Sequence, residues 1–308
     1  MEDMRKALIT GSEGFVGGYL KEELKANGYR VVGADLTEGP ETRRVDLLDG
    51  RAVAELLAEE QPDVIIHLAA QADVGRSWKE PQKTIRMNVE AAVNLMEAIR
   101  AAGGARVRTV LVGSSDQYGA LGAAGARVSE ETAMRPMSPY AVSKKAQEEL
   151  AALYVRSYGL SICMTRSFNH GGAGQRTGFL IPDFASGIVR IERGEARELL
   201  VGNLTSRRDF THVRDVVRAY RLIAEKGRAG EVYNVGSGET HSAQEVLNRL
   251  REMAKCPVPV RTDPGRMRPS DTPVICCDHS KLTRDTGWQP ELPFERILRD
   301  TLEDYRAR

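Results

Sequence analysis

The chain has 308 residues, with 44 Lys and Arg against 43 Asp and Glu, for a net charge of +1. Its 41% apolar and 28% charged residues suit a globular protein, long enough for one large core or for a nucleotide-binding domain with a smaller lobe attached. There is no basic surplus of the kind nucleic-acid binders carry, and no apolar run of membrane-spanning length, so neither nucleic acid nor a bilayer is an expected partner.

The charged amino terminus has no signal-peptide apolar region. The four cysteines, Cys163, Cys256, Cys276 and Cys277, form no CxxC pair. A reduced, cytoplasmic protein without a metal site is the expectation.

Lys6–Thr10 (KALIT) is an apolar run ending at a glycine and predicts a buried strand. Phe15–Ala26 has helical spacing and stops at Asn27-Gly28. Arg30–Ala34 is a second strand. Arg51–Glu60 sets Val53, Leu56 and Leu57 on one helical face and ends at Pro62. Val64–Leu68 predicts a strand, Thr84–Ala102 a long helix and Thr109–Gly113 a further strand. Ser138-Pro139 provides an N-cap followed by a first-turn proline, opening a helix to about Tyr158. Ser161–Thr165 follows as a strand. This alternation predicts an α/β fold, a Rossmann-type doubly wound parallel sheet with helices on both faces.

After Arg166 the pattern changes. Glycine-rich loops and a proline-rich stretch, Cys256–Pro273, are interleaved with two clear helices, Asp215–Lys226 and Ser242–Met253. Residues 1–165 read as a dinucleotide-binding domain. Residues 166–308 read mainly as a smaller C-terminal substrate-binding lobe, with segments near 210–236 returning to the first domain.

Gly11, Gly14 and Gly17 are spaced GxxGxxG between the first predicted strand and the first predicted helix. Bare backbone amides at a helix N-terminus can hold a pyrophosphate, and Gly17 lets the helix pack close to the strand. Asp35 follows the second strand, where a carboxylate can bond both ribose hydroxyls of NAD and repel a 2′-phosphate. NAD is therefore the expected cofactor, with NADP possible.

Tyr140 and Lys144 stand at i and i+4 on a predicted helix and so share a face. Free tyrosine has a pKa of about 10, and Lys144 together with the positive ring of the cofactor is the expected means of lowering it. Ser114, Ser115 and Asp116 follow a strand at its carboxyl end, where open α/β sheets bind ligands. A serine hydroxyl there can bond a substrate oxygen or cap the next turn. Asp116 can act as acid, base or polar anchor.

Taken together, the glycine turn, Asp46-Leu47, His67-Leu68-Ala69-Ala70, Asn88, Ser114 and the Tyr140/Lys144 pair resemble the extended short-chain dehydrogenases/reductases that act on nucleotide-sugars. The resemblance covers essentially the whole chain. It implies that Tyr140 is the acid/base, that Lys144 orients it and the nicotinamide ribose, and that Ser114 assists. It also implies that Asp46 and Leu47 lie beside the adenine, that Leu68, Ala69, Ala70 and Asn88 line the cofactor with Phe15 and Val16, and that Phe168 and His170 border it. Segments around Arg166–Gln175, Gly178-Phe179, Val201–Leu204, Arg208–Phe210 and Arg266–Asp271 resemble the GDP-mannose branch, closest to its GDP-4-keto-6-deoxymannose reductases. That likeness implies a GDP-sugar substrate held by Asn169 and Arg208 with Arg268 assisting, Asp271 on ribose or guanine, and Ser115, Phe179 and Asn203 nearby.

The reaction this implies is reduction of a C4 ketone by NAD(P)H, with Tyr140 as proton donor. GDP-mannose 4,6-dehydration and 4-epimerisation with a retained cofactor are the alternatives. A dehydratase of this kind typically carries glutamate where Asp116 stands, one methylene longer. A non-catalytic NAD-sensing or scaffold protein is a reading of another class, opposed by the joint presence of Ser114, Tyr140 and Lys144. A homodimer through the two long helices is carried over from the resemblance.

Overall fold

A computed structural model describes residues 4–119, 127–266 and 274–308. The first strand, β1 (Lys6–Thr10), leads through the glycine turn into α1 (Phe15–Ala26), followed by β2 (Arg30–Asp35), β3 (Thr42–Arg44), α2 (Gly50–Glu60) and β4 (Val64–His67). Next come α3 (Val74–Lys79), α4 (Pro81–Ile85) and α5 (Ala91–Ala101), then β5 (Arg108–Ser114), β6 (Arg127–Val128), α6 (Pro139–Tyr158) and β7 (Ile162–Ser167).

The remainder runs β8 (Asn169–Gly171), α7 (Leu180–Glu192), β9 (Leu199–Val201), β10 (Arg207–His212), α8 (Val213–Lys226), β11 (Val232–Val235), β12 (Thr240–Ser242) and α9 (Ala243–Glu252). It closes with β13 (Val260–Thr262), β14 (Val274–Cys277), α10 (Ser280–Thr286) and α11 (Phe294–Ala307).

Seven parallel strands form the main sheet in the order β11-β7-β5-β4-β1-β2-β3. The chain winds outward from β1 to β3, then returns to lay β4 on the other side of β1. That reversal opens a crevice at the carboxyl ends of β1 and β4, the place where open α/β sheets take ligands. Alternate strand residues face opposite sides. Ala7 and Ile9 of β1 join Leu20, Leu24, Val217, Tyr220 and Trp288 beneath α1 and α8. Leu8 joins Leu56, Leu95 and Ala151 beneath α2, α5 and α6.

The capping signals are realised. Asn27 is the C-cap of α1 and Gly28 has φ +79°. The Ser138 hydroxyl accepts the Ala141 N–H at 3.1 Å to start α6.

The predicted Thr84–Ala102 helix is interrupted. Between α4 and α5, residues Arg86–Glu90 form a π-helical segment. In the second half, β11 lies in the main sheet beside β7. A separate apolar cluster gathers Ile181, Phe184 and Ile188 of α7, Phe210 of β10, Val246 and Leu250 of α9, and Ile297 and Leu302 of α11. The sequence reading omits α7 and α11. Pro182 and Gly187 disguise α7; a Cβ at Gly187 would stand 2.3 Å from Leu199 Cδ1, so the glycine leaves that side chain its place. Among the described residues, no helix is long and apolar enough to cross a membrane.

Candidate active site

The glycine turn is built by backbone contact. A Cβ on Gly17 would meet the Ser12 carbonyl oxygen at 2.4 Å and that of Gly11 at 2.7 Å, so only glycine brings α1 this close to the turn. A Cβ on Gly11 would meet Ala69 Cα and N at 2.8 Å, which seats the turn directly on the Leu68–Ala70 segment after β4. Gly14 is the N-cap of α1, with no side-chain cap and no acidic residue in the first turn. Exposed helix N–H groups without a competing carboxylate fit a pyrophosphate.

Asp35 ends β2, and its carboxylate accepts the Glu13 N–H at 3.0 Å and the Thr37 N–H at 3.2 Å. The Val45 N–H donates to the Asp35 carbonyl at 2.8 Å, which brings Asp46 and Leu47 to the same edge. Asp46 accepts the Leu48 N–H at 2.9 Å, and Leu47 is buried. The Phe15 ring stacks parallel to His170, with centroids 6.4 Å apart, so His170 borders the turn. Val16, the next residue of α1, packs against the core.

Two predicted cofactor residues are occupied within the protein. Asn88 is fully buried; its carboxamide accepts the Gln71 N–H at 2.7 Å and donates to the Gln71 carbonyl at 3.1 Å and to Ser143 Oγ at 2.9 Å. It braces the loop after Ala70. Phe168 is buried with Tyr118 and Ile275.

Ser114 is the last residue of β5 and the N-cap of the turn Ser115–Tyr118, its hydroxyl accepting the Asp116 N–H at 3.2 Å. The capping role thus falls to Ser114, with Ser115 buried beside it. Tyr140, at the start of α6, is hydrogen-bonded to Ser114 and feels the charge of Asp116. These residues therefore meet, as the motif predicts.

The protein groups alone shift Tyr140 upward. Burial raises the Tyr140 phenol above its ordinary value, Asp116 raises it further, and the Ser114 hydrogen bond only partly offsets them. The Lys144 ammonium donates instead to the Val112 carbonyl at 2.8 Å and to Gln147 Oε1 at 3.0 Å. Burial lowers Lys144 itself to about 7. Fully buried His67 is lowered to about 3, first by burial and then by Lys144.

The other predicted substrate residues come from the second half of the chain. Asn169, at the start of β8, is exposed, and Phe179 is partly exposed at the N-cap of α7. Asn203 Oδ1 accepts the Thr205 N–H at 2.9 Å. On β10, Arg207 is committed to Glu245 at 2.9 Å and to Thr240, while Arg208 is on the opposite face, its Nη1 donating to the Arg207 carbonyl at 2.8 Å. Buried Asp209 anchors this strand by accepting the N–H groups of Ser237, Gly238 and Cys277 at 2.8, 2.8 and 3.0 Å. Arg268 and Asp271 lie outside the described residues.

Sequence reasoning missed the scaffold beneath Ser114. Glu148, two turns beyond Tyr140 on α6, forms a buried ion pair with Arg166 at 2.7 Å and binds Gln117 at 2.8 Å. Only the spacing of Glu148 from Tyr140, on one helical face, pointed toward it.

A dinucleotide crevice that ends on a tyrosine–lysine helix defines the extended short-chain dehydrogenases/reductases, and this chain is an NAD(P)-dependent enzyme of that class. Within the class it belongs to the GDP-mannose 4,6-dehydratase family, whose profile matches residues 8–301. It is 35% identical to GDP-6-deoxy-D-mannose reductase of Pseudomonas aeruginosa over 305 residues, 99% of this chain and 98% of that protein. It is 32% identical to dTDP-glucose 4,6-dehydratase of Xanthomonas campestris pv. campestris, over 97% of this chain and 92% of that protein. The solved structure of RMD from P. aeruginosa complexed with NADPH superposes with a TM-score of 0.89 at 33% identity, covering 98% of this chain and 99% of that one. UDP-glucose 4-epimerase of Thermus thermophilus, in complex with NAD, superposes with a TM-score of 0.88 at 30% identity and the same coverage.

Proposed function

We propose that the chain reduces the C4 ketone of a GDP-4-keto-6-deoxyhexose of the GDP-4-keto-6-deoxymannose type. The observation that carries this reading is Tyr140, a phenol kept protonated by burial and by Asp116, and hydrogen-bonded to Ser114. Such a group donates a proton to an oxygen that gains negative charge. The Gly11–Gly17 turn would hold the pyrophosphate of a reduced nicotinamide dinucleotide, which would supply the hydride. Ser114 positions the ketone oxygen, Tyr140 protonates it, and Lys144 fixes the ribose side of the pocket. The second half of the chain holds the nucleotide diphosphate through Asn169 and Arg208, with Phe179 and Asn203 nearby, Ser115 contributing beside Ser114, and Arg268 and Asp271 assisting as the resemblance implies. Arginine suits this task because its planar fork matches phosphate oxygens.

The test is conversion of GDP-4-keto-6-deoxymannose to a 6-deoxyhexose product with each reduced cofactor. Tyr140→Phe is expected to cut kcat at least a hundredfold, and undiminished activity removes Tyr140 from the reaction. The proximity of Asp116 to Tyr140 favours one second reading, 4,6-dehydration. Formation of a 4-keto product from GDP-mannose and an oxidised cofactor would replace the reductase assignment with it.

The assembly is proposed to be a homodimer. Ile85 of α4 and Val142, Leu153 and Tyr158 of α6 are exposed apolar residues on the two helices expected to pair. Sedimentation of wild type and Val142→Glu checks this, a dimer becoming a monomer being the expected result. The four free cysteines support a cytoplasmic location.

A further inference from the structure

The cofactor side of the site contains a cation that reading along the chain does not place there. β2 and β3 pair in parallel register, with Ala34 opposite Arg43 and Asp35 opposite Arg44. Paired residues in neighbouring strands project from the same face and lie about 4.8 Å apart. Nine residues of sequence thus collapse to one strand spacing.

The two arginines part company at this edge. Arg43 shares its face with Ala34, which packs among Leu56 and Leu57 of α2, and it is paired with Glu59 and Glu60 there. Arg44 shares the face of Asp35, and that is the face of the glycine turn. Thr42, two residues before Arg44, and Gly33, two before Asp35, both abut Ser12, and Asp35 itself holds the Glu13 N–H. Arg44 is exposed, and among the described residues no hydrogen bond or ion pair engages its guanidinium. Of the carboxylates on the glycine-turn side, Glu13 is taken by Lys21 and Thr42, and Asp35, opposite Arg44, accepts the Glu13 and Thr37 N–H groups.

We propose that Arg44 is the 2′-phosphate contact of the cofactor site, so that this chain accepts NADPH in spite of the aspartate ending β2. The proposal rests on the dinucleotide reading of the Gly11–Gly17 turn and on nothing about the sugar substrate. Asp35 alone would favour NADH, because its carboxylate suits ribose hydroxyls and repels a phosphate dianion. A guanidinium one strand spacing away supplies the compensating charge and a forked donor set. Asp35 and Arg44 then divide the task, the first holding a free ribose and the second a phosphorylated one.

The experiment is equilibrium binding of NADPH, NADH and 2′,5′-ADP to wild type, Arg44→Ala and Arg44→Lys, followed by calorimetry without sugar substrate. Arg44→Ala is expected to weaken NADPH and 2′,5′-ADP by about tenfold or more and to leave NADH within about twofold. Arg44→Lys is expected to fall between, keeping the charge but not the fork. Unchanged NADH binding also certifies the fold of each variant. Equal weakening of NADH and NADPH, or no change in either, overturns the proposal. Because no turnover is measured, the result stands apart from the fate of the reductase reading.

Discussion

Gln117 ties Ser114 to Glu148: its carboxamide oxygen accepts the Ser114 N–H at 3.0 Å, and its nitrogen donates to Glu148 Oε2 at 2.8 Å. Since Glu148 and Tyr140 share α6, the serine and the tyrosine are referenced to one rigid element. Replacing Gln117 with Leu keeps the volume and removes both bonds. We expect kcat to fall by about tenfold while the dissociation constant for the dinucleotide stays unchanged, since loosening by a fraction of an ångström degrades an alignment more than an affinity. Steady-state kinetics with direct cofactor titration checks this, and an unaltered kcat would remove Gln117 from the alignment of Ser114.

The Glu148–Arg166 pair is buried and bidentate, with bonds of 2.7 and 3.0 Å. Arg166 also donates to the Tyr118 hydroxyl at 3.0 Å and to the Glu130 carbonyl at 2.8 Å. Glu148→Ala strands a buried guanidinium and is expected to cost about 3–5 kcal/mol in denaturant unfolding. The double variant Glu148→Met, Arg166→Met is expected to cost less than the single one, because no charge is left uncompensated. A double variant that is worse than Glu148→Ala would show that the arginine bonds to Tyr118 and Glu130 outweigh its desolvation.

Gly17 and Gly14 differ in what a methyl group would meet. At Gly17 the nearest atom is a backbone oxygen at 2.4 Å, and at Gly14 it is one at 3.2 Å. Gly17→Ala must push α1 off the turn, so cofactor binding is expected to fall by more than a hundredfold, with a stability loss of about 1–3 kcal/mol. Gly14→Ala needs a shift of only a few tenths of an ångström within the protein and is expected to leave stability nearly unchanged. Denaturant unfolding of both variants separates the two outcomes, and the reverse ranking contradicts the geometry.

Lys144 gives the unliganded protein a pH-dependent weakness. Its folded pKa, about 7, lies below the ordinary value of 10.5, so the unfolded chain binds the proton more readily between those values. Its contribution to stability is therefore fully present above about pH 10.5 and is lost as the pH falls toward 7, at about 1.4 kcal/mol per unit. Lys144→Met escapes this penalty, though it forfeits two hydrogen bonds at every pH. The melting temperature of wild type minus that of Lys144→Met should rise steadily from pH 7 to pH 10. A difference that is flat across that range would mean Lys144 is not desolvated.

Much of the architecture is local and was legible. KALIT followed by glycine, Asn27-Gly28 and Ser138-Pro139 each specify a strand end or helix end from a few neighbouring residues, and the structure places them there. The meeting of Ser114, Asp116 and Tyr140 was also legible, because position after a strand and spacing on a helix suffice to aim those groups. What escaped depends on register and burial. No local pattern sets Arg44 opposite Asp35, since cross-strand pairing decides it. The upward shift of Tyr140 follows from how much protein covers it, which a YxxxK spacing does not encode. Helix α7 was hidden by a proline in its first turn and by a glycine that makes room for Leu199.

The π-helical segment at Arg86–Glu90 amounts to one surplus residue threaded into an otherwise continuous rod. Beyond it, Ala91, Ala92, Leu95, Met96 and Ile99 keep their stripe against the sheet, while Asn88 within it turns back toward Gln71. Removing one residue there would restore an ordinary ladder and rotate everything upstream by about 100°. The exposed apolar side chain of Ile85 would then swing to a new azimuth, and Asn88 would release the Gln71 loop. Length in this stretch is therefore more constrained than sequence: substitutions are admissible where a single deletion is not.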